Sequence, residues 1–189
     1  MLPRGDHRIP GQEACRALLD RYGVPEHIRR HSEQVARVAE TLGGALVERA
    51  GEGLDLALLV AGALLHDIAK ARCLGSQRDH AREGGELLRR LGYGRVAALV
   101  EEHVVLRSFR PNGPVTECEV LNYSDKRVRH DEIVSLDERF EDLIERYGRG
   151  HPEAERRIRE TWERARTLER KLFRRLPFTP QDLASALSE

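Results

Sequence analysis

The stretch Leu64-Leu-His-Asp-Ile-Ala-Lys70 sets an imidazole, a carboxylate and an ammonium within two turns at the end of the most apolar segment of the chain. A buried carboxylate without a partner costs several kcal/mol even after relaxation, so Asp67 requires a cation or strong donors beside it. A metal ion would satisfy His66 and Asp67 together. The plainer alternative is that a helix ends here and that Asp67 and Lys70, one turn apart, form a solvated ion pair. On these seven residues alone the two readings are balanced.

Further candidate ligands shift that balance. His31 lies on the same helical face as Val35, Val38 and Leu42, an inward phase that suits either a ligand or a satisfied core histidine. Asp125 stands between Leu121 and Val128, where it could also be a surface ion-pair partner. His80 opens one helix and could merely cap it, and His103 ends another, where a cation is favourable. Taken together, four histidines and two aspartates on the inward faces or ends of five successive helices make the inventory of a divalent metal site.

The elements that must position these groups read as helices throughout, which makes the fold class all-α. A first helix is predicted from about Gln12 to Arg21, and a second from Pro25 to about Arg49 with Val35, Val38, Leu42, Ala45 and Leu46 inward. Asp55 caps a third, Leu56 to Ile68, apolar nearly all round and hence central. Asp79 caps a fourth that ends at Gly92, and a fifth spans Gly94 to Val105, followed by a loop, Arg110 to Pro114, expected at the mouth of the site. Thr116-x-x-Glu119 and Ser135-x-x-Glu138 read as capping boxes for helices through Val128 and Tyr147. Pro152 starts a long charged helix with Ile158, Trp162, Ala165, Leu168 and Leu172 on one stripe, and Pro180 starts a short last one. The one strand-like stretch is Val104 to Phe109.

Composition bounds the rest. A chain of 189 residues suits one domain with one core. Lys+Arg and Asp+Glu balance at 32 each, so no global field draws nucleic acid or an anionic membrane, and an anion site must be local. The alternating signs along the helix after Pro152 read as a salt-bridged exposed face. The N-terminus lacks the apolar stretch of a secretory signal and no apolar run is long enough to span a bilayer, which points to the cytoplasm. Cys15, Cys73 and Cys118, odd in number and far apart, are expected to be buried thiols.

The order His31, His66-Asp67, His80, His103, Asp125 resembles the HD superfamily of metal-dependent phosphohydrolases, in a compact stand-alone form. The resemblance covers about residues 25–130; residues 1–24 then form a helix packed on that core and 131–189 a helical extension, whose Asp137-Glu-Arg-Phe140 and Arg146-Tyr-Gly148 are similar to those of stand-alone members. It implies a single-domain helical bundle in which His31, His66, Asp67 and Asp125 hold one metal, while His80 and His103 serve a second and Asp67 bridges the two. It also implies cleavage of a phosphoester or phosphoanhydride bond, of a nucleotide above all, by a metal-activated hydroxide. Asp67 and Lys70 are then the catalytic pair, Lys70 neutralising charge that develops on the phosphoryl group, with Lys126 and Arg127 as further substrate-binding candidates. For Arg127, pairing with a carboxylate is the plainer expectation. Iron, manganese or another first-row metal suits the imidazole and carboxylate set, and magnesium is compatible with it.

Departures narrow the choice. The Gly-Tyr-Pro extension of cyclic-di-GMP phosphodiesterases is missing after His103, and Ala69-Lys70 stands where stringent-response hydrolases carry an acidic pair. The layout is closest to compact bacterial members that hydrolyse dinucleoside polyphosphates. Two other functions share these residues: a di-iron oxygenase of the HD type, and a metal-stabilised regulatory module that binds a nucleotide without cleaving it.

Overall fold

The computed structural model describes residues 8–187; the first seven residues, part of the stretch read for a secretory signal, lie outside them. The order is α1 (Gln12–Arg21), α2 (Glu26–Ala50), α3 (Leu56–Leu65), α4 (Lys70–Cys73), α5 (His80–Arg90), α6 (Gly94–Glu102), α7 (Glu117–Lys126), a β1–β2 hairpin (Val128–Arg129 and Glu132–Ile133), α8 (Leu136–Leu143), a π-helical turn (Ile144–Gly148), α9 (Pro152–Phe173), a 3-10 turn (Pro180–Asp182) and α10 (Leu183–Ala186). The fold is all-α apart from that hairpin, whose antiparallel register pairs Val128 with Ile133 and Arg129 with Glu132.

Local signals set most boundaries. The Asp55 side chain accepts from the Leu58 amide at the start of α3, and Asp79 accepts from the amides of Ala81 and Arg82 at the start of α5. Both capping boxes form, Thr116 with Glu119 and Ser135 with Glu138. Gly51, in the left-handed region at φ 66°, closes α2 by donating to Val47 O, a conformation that a side chain would strain.

Several expectations need correction. The central helix stops at Leu65 rather than Ile68, because the chain tightens into i→i+3 bonds, Ile68 N to Leu65 O and Lys70 N to Asp67 O. The fifth helix stops at Glu102, and Val104 to Phe109 forms turns and bends rather than a strand. The 110–114 loop lies against α9 instead of at the mouth: Lys171 Nζ donates to Pro114 O at 2.8 Å. Cys15 and Cys73 are buried, whereas Cys118 is partly exposed.

α3 occupies the centre and packs against α1, α2, α6 and α7. Eight of its ten residues are buried, which its near-uniform apolarity requires. The core continues through Phe140, Ala165, Leu168, Leu172 and Leu183, so the C-terminal helices share it. A buried ion pair pins α9 to α7: Lys171 Nζ lies 2.7 and 2.6 Å from the two Glu119 carboxylate oxygens. No helix among the described residues is long and apolar enough to cross a membrane.

Candidate metal centre

The break after Leu65 delivers His66 and Asp67 to one point. There they meet His31 from α2, His80 from the start of α5, His103 from the end of α6 and Asp125 from α7. Asp67 divides its oxygens: Oδ2 lies 3.4 Å from His66 Nε2, while Oδ1 lies 3.3 Å from His80 Nε2 and 3.7 Å from His103 Nε2. Asp125 Oδ1 lies 3.1 Å from His31 Nε2 and 3.6 Å from His66 Nε2. The donors form two groups that share Asp67, one with His31 and His66 and one with His80 and His103, each drawn within 4.8 Å. This is the arrangement in which one carboxylate can serve two ions.

Three of the imidazoles are held with the same nitrogen inward. Nδ1 of His31 lies 2.8 Å from His130 O, that of His66 lies 2.7 Å from Ala63 O, and that of His103 lies 2.6 Å from Val100 O. A carbonyl only accepts, so each Nδ1 carries the proton and each Nε2 turns its lone pair into the cluster in the neutral ring. Among the described residues, His66 Nε2 and Asp67 Oδ1 are buried with no hydrogen-bond partner. The short approaches above are contacts without hydrogen-bond geometry at those two atoms. Orphaned acceptors at 0% and 1% exposure need a cation, and the residues fit one.

Charge within the cluster tells the same story. Burial opposes a proton on His66, but Asp67 and then Asp125 outweigh it and push its pKa up to about 10. Burial, with charge on His66 beside it, pushes His103 down to about 3. Both carboxyls resist protonation against the pull of burial: His66, His80 and Lys70 hold Asp67 well below the usual range, and His31, His66 and Lys126 do so for Asp125.

Lys70 Nζ donates to Asp67 Oδ2 at 2.7 Å, but with Asp67 buried this is no solvated pair. Lys126 is buried and donates to His103 O at 3.0 Å and Asn122 O at 3.3 Å, with Asp125 Oδ2 at 3.5 Å, so it braces two ligands from behind. Arg127 gives Nε to Val134 O, Nη1 to the Tyr123 hydroxyl and Nη2 to Pro180 O. Each of its three nitrogens has a partner in the fold, with Glu169 Oε2 3.6 Å from Nη1, so it ties α7 to the C-terminal segments and is 5% exposed.

A pocket of about 320 Å³ opens on His31, Asp67 and Lys70. Its far wall is Arg139, Leu143, Arg146 and Tyr147, residues not singled out as site residues from the sequence. Their spacing of i, i+4, i+7 and i+8 after the Ser135 cap was the available signal, since it puts them on one face of a helix. His130 joins both sides. At φ 58°, in the hairpin turn, it offers its carbonyl to His31 while its Nε2 lies 3.0 Å from Arg146 Nη2.

Comparison with known proteins agrees with the geometry. The HD domain family matches residues 28–176, beyond the segment that carries the ligand motif. A tRNA (cytidine(56)-2'-O)-methyltransferase of Thermoplasma volcanium is 34% identical over 97 residues, which are 51% of this chain and 26% of that protein. The enzyme of the same name from Picrophilus torridus is 29% identical over 148 residues, 74% of this chain and 41% of that one. An uncharacterized protein of Methanocaldococcus jannaschii is 27% identical over 146 residues, 70% of this chain and 85% of that one. The chain thus spans 26% and 41% of the two methyltransferases. No solved structure matches. A match over most of the chain, laid on a His-Asp cluster drawn from five helical segments, leaves one assignment: the chain belongs to the HD-domain superfamily, a superfamily of metal-dependent phosphohydrolases.

Proposed function

We propose that this protein hydrolyses a phosphate ester or anhydride of a small molecule, a nucleotide being the leading class, with one or two divalent ions as cofactor. The observation that carries the reading is the pair of orphaned buried acceptors, His66 Nε2 and Asp67 Oδ1, beside a pocket that Asp67 lines and whose opposite wall carries Arg139 and Arg146. Divalent ions held by His31, His66, Asp67 and Asp125, and by His80 and His103 around Asp67, would supply Lewis acidity toward a phosphoryl oxygen and acidify water at neutral pH. Lys70 holds Asp67 from the pocket side, where its ammonium can also meet charge that grows on a phosphoryl group. Lys126 and His130 act from behind the ligands, fixing His103 and His31 through main-chain carbonyls. The methyl transfer named for two relatives belongs to proteins of which this chain matches well under half, and it is not carried over.

The test is anaerobic purification with elemental analysis, followed by phosphate release from a panel of phosphomonoesters, cyclic nucleotides and dinucleoside polyphosphates. Metal-dependent release that disappears in Asp67→Ala supports the reading. Consumption of dioxygen with an organic substrate would replace it with the oxygenase, and tight nucleotide binding without turnover would replace it with a regulatory module.

A further inference from the structure

Arg139 stands apart from the other cations around the pocket. Its side chain is 15% exposed and its Nε is buried without a hydrogen-bond partner among the described residues. Its carboxylate partner, Asp142 at 3.4 Å, is shared with Arg146 at 2.9 Å, so one negative charge faces two guanidiniums. The Arg139 charge is also felt by Lys70 and by Lys126. Lys70 pairs with Asp67 and Lys126 with Asp125, so of the three cations Arg139 is the one whose carboxylate is shared. Arg139 lines the pocket, and a guanidinium that shares its carboxylate partner can donate to an anionic oxygen placed there.

The surroundings say what kind of anion. A second groove of about 520 Å³ continues from the pocket past His27, His130 and Arg146. A substrate with a long anionic chain would have to run along it. Its arginines, however, are neutralised locally: Arg30 by Asp131 at 3.7 Å, Arg129 by Glu132 at 3.7 Å and Arg146 by Asp142. The less tightly held charge is at the pocket end, where Arg139, at 3.4 Å, shares Asp142 with the closer Arg146, at 2.9 Å, and Lys70 is part exposed, while Leu143 and the 61% exposed Tyr147 provide an apolar, aromatic wall beside it. A single compact dianion attached to an apolar or flat organic group matches that distribution; a polyanion does not.

Resting on the hydrolase reading above, we propose that Arg139 seats the non-bridging oxygens of a terminal phosphate and so selects phosphomonoesters over phosphodiesters and RNA. A monoester presents a dianion to Lys70 and Arg139, whereas a diester presents one charge and carries a second substituent into the wall. Arg139 acts on binding and orientation, and no proton passes through it.

The test uses the full chain, metal-loaded, with para-nitrophenyl phosphate, bis(para-nitrophenyl) phosphate and a single-stranded RNA oligonucleotide, together with calorimetric titration of inorganic phosphate. Wild type should prefer the monoester. Arg139→Ala should raise KM for the monoester and weaken phosphate binding by about ten- to hundredfold, the range of one charge-assisted hydrogen bond. Diester turnover should fall markedly less than monoester turnover, and Arg139→Lys should recover part of the loss. Metal content and melting temperature of both variants show that the site is intact. Equal losses on both esters, full phosphate affinity in Arg139→Lys and Arg139→Ala alike, or RNA as the preferred substrate would overturn the proposal. Arg139-dependent phosphate binding in a wild type that cleaves none of the three would sink the hydrolase reading and leave the phosphate seat standing.

Discussion

Asp67 is the side chain on which the cluster depends, since one oxygen faces His66 and the other faces His80 and His103. Asp67→Ala should lose all bound metal, and His80→Ala, which touches only the second group, should keep one ion with much reduced activity; elemental analysis beside phosphate release checks both. The raised pKa of His66 sets the pH dependence. A group whose folded pKa, about 10, lies above its unfolded value near 6.5 stabilises fully below the latter and loses that contribution as pH rises through the former. Metal-free protein should therefore melt at lower temperature as pH climbs from about 6.5 to 10. Loaded protein should melt at a nearly constant temperature over the same range, because the metal displaces the His66 proton and apparent affinity rises about tenfold per pH unit, which offsets that loss. Parallel melting curves for chelated and loaded samples decide it: identical slopes would mean that His66 is a core histidine with no ligand role.

At the scale of elements, the site depends on where helices end. His66, His80 and His103 all sit at helix termini, His80 as the first residue of α5 and the others as C-caps of α3 and α6. A terminus leaves carbonyls free, and those of Ala63 and Val100 take the Nδ1 protons that aim His66 and His103. Capping signals made the start of α5 legible, but the early stop of α3 depends on ligand placement rather than on a Gly or Pro, so nothing local announced it. α9 is held at the Glu119–Lys171 pair, with side chains 3% and 1% exposed. Lys171→Met should strand a buried carboxylate and lower stability by about 3–5 kcal/mol, while adding Glu119→Leu should recover part of it even though the Thr116 capping box is lost. Urea unfolding of the two variants measures this.

For the whole molecule, the candidate ligands come from segments far apart in sequence that share one core, so the proposed metal binding would couple to folding. At free metal about a hundredfold above Kd, loading should add about 2.7 kcal/mol, a rise of roughly 5–10 °C in melting temperature that a chelator reverses. Scanning calorimetry with and without chelator tests it. The C-terminal helices are part of the same unit: Phe140, Leu168, Leu172 and Leu183 lie in the common core, and Arg139 through Tyr147 wall the pocket. A chain ending before Ser135 should accordingly lose cooperative unfolding as well as the pocket, which melting curves and limited proteolysis would show.

The sequence by itself determined the all-α class, most helix starts and the inventory of ligands, because apolar periodicity, caps and the His66-Asp67 pair act locally. It also carried the order of ligands along the chain, on which the resemblance rested. What tertiary structure alone decided is how each charge is partnered. Arg127, Lys126 and Arg139 look alike in sequence. Only packing gives Arg127 to Val134, Tyr123 and Pro180, turns Lys126 to the back of His103, and places Arg139 on the pocket wall with Asp142 shared between it and Arg146. Whether a cation binds substrate or braces the fold depends on which acceptors packing brings within about 3 Å of it, and two of these, Pro180 for Arg127 and His103 for Lys126, lie 53 and 23 residues away.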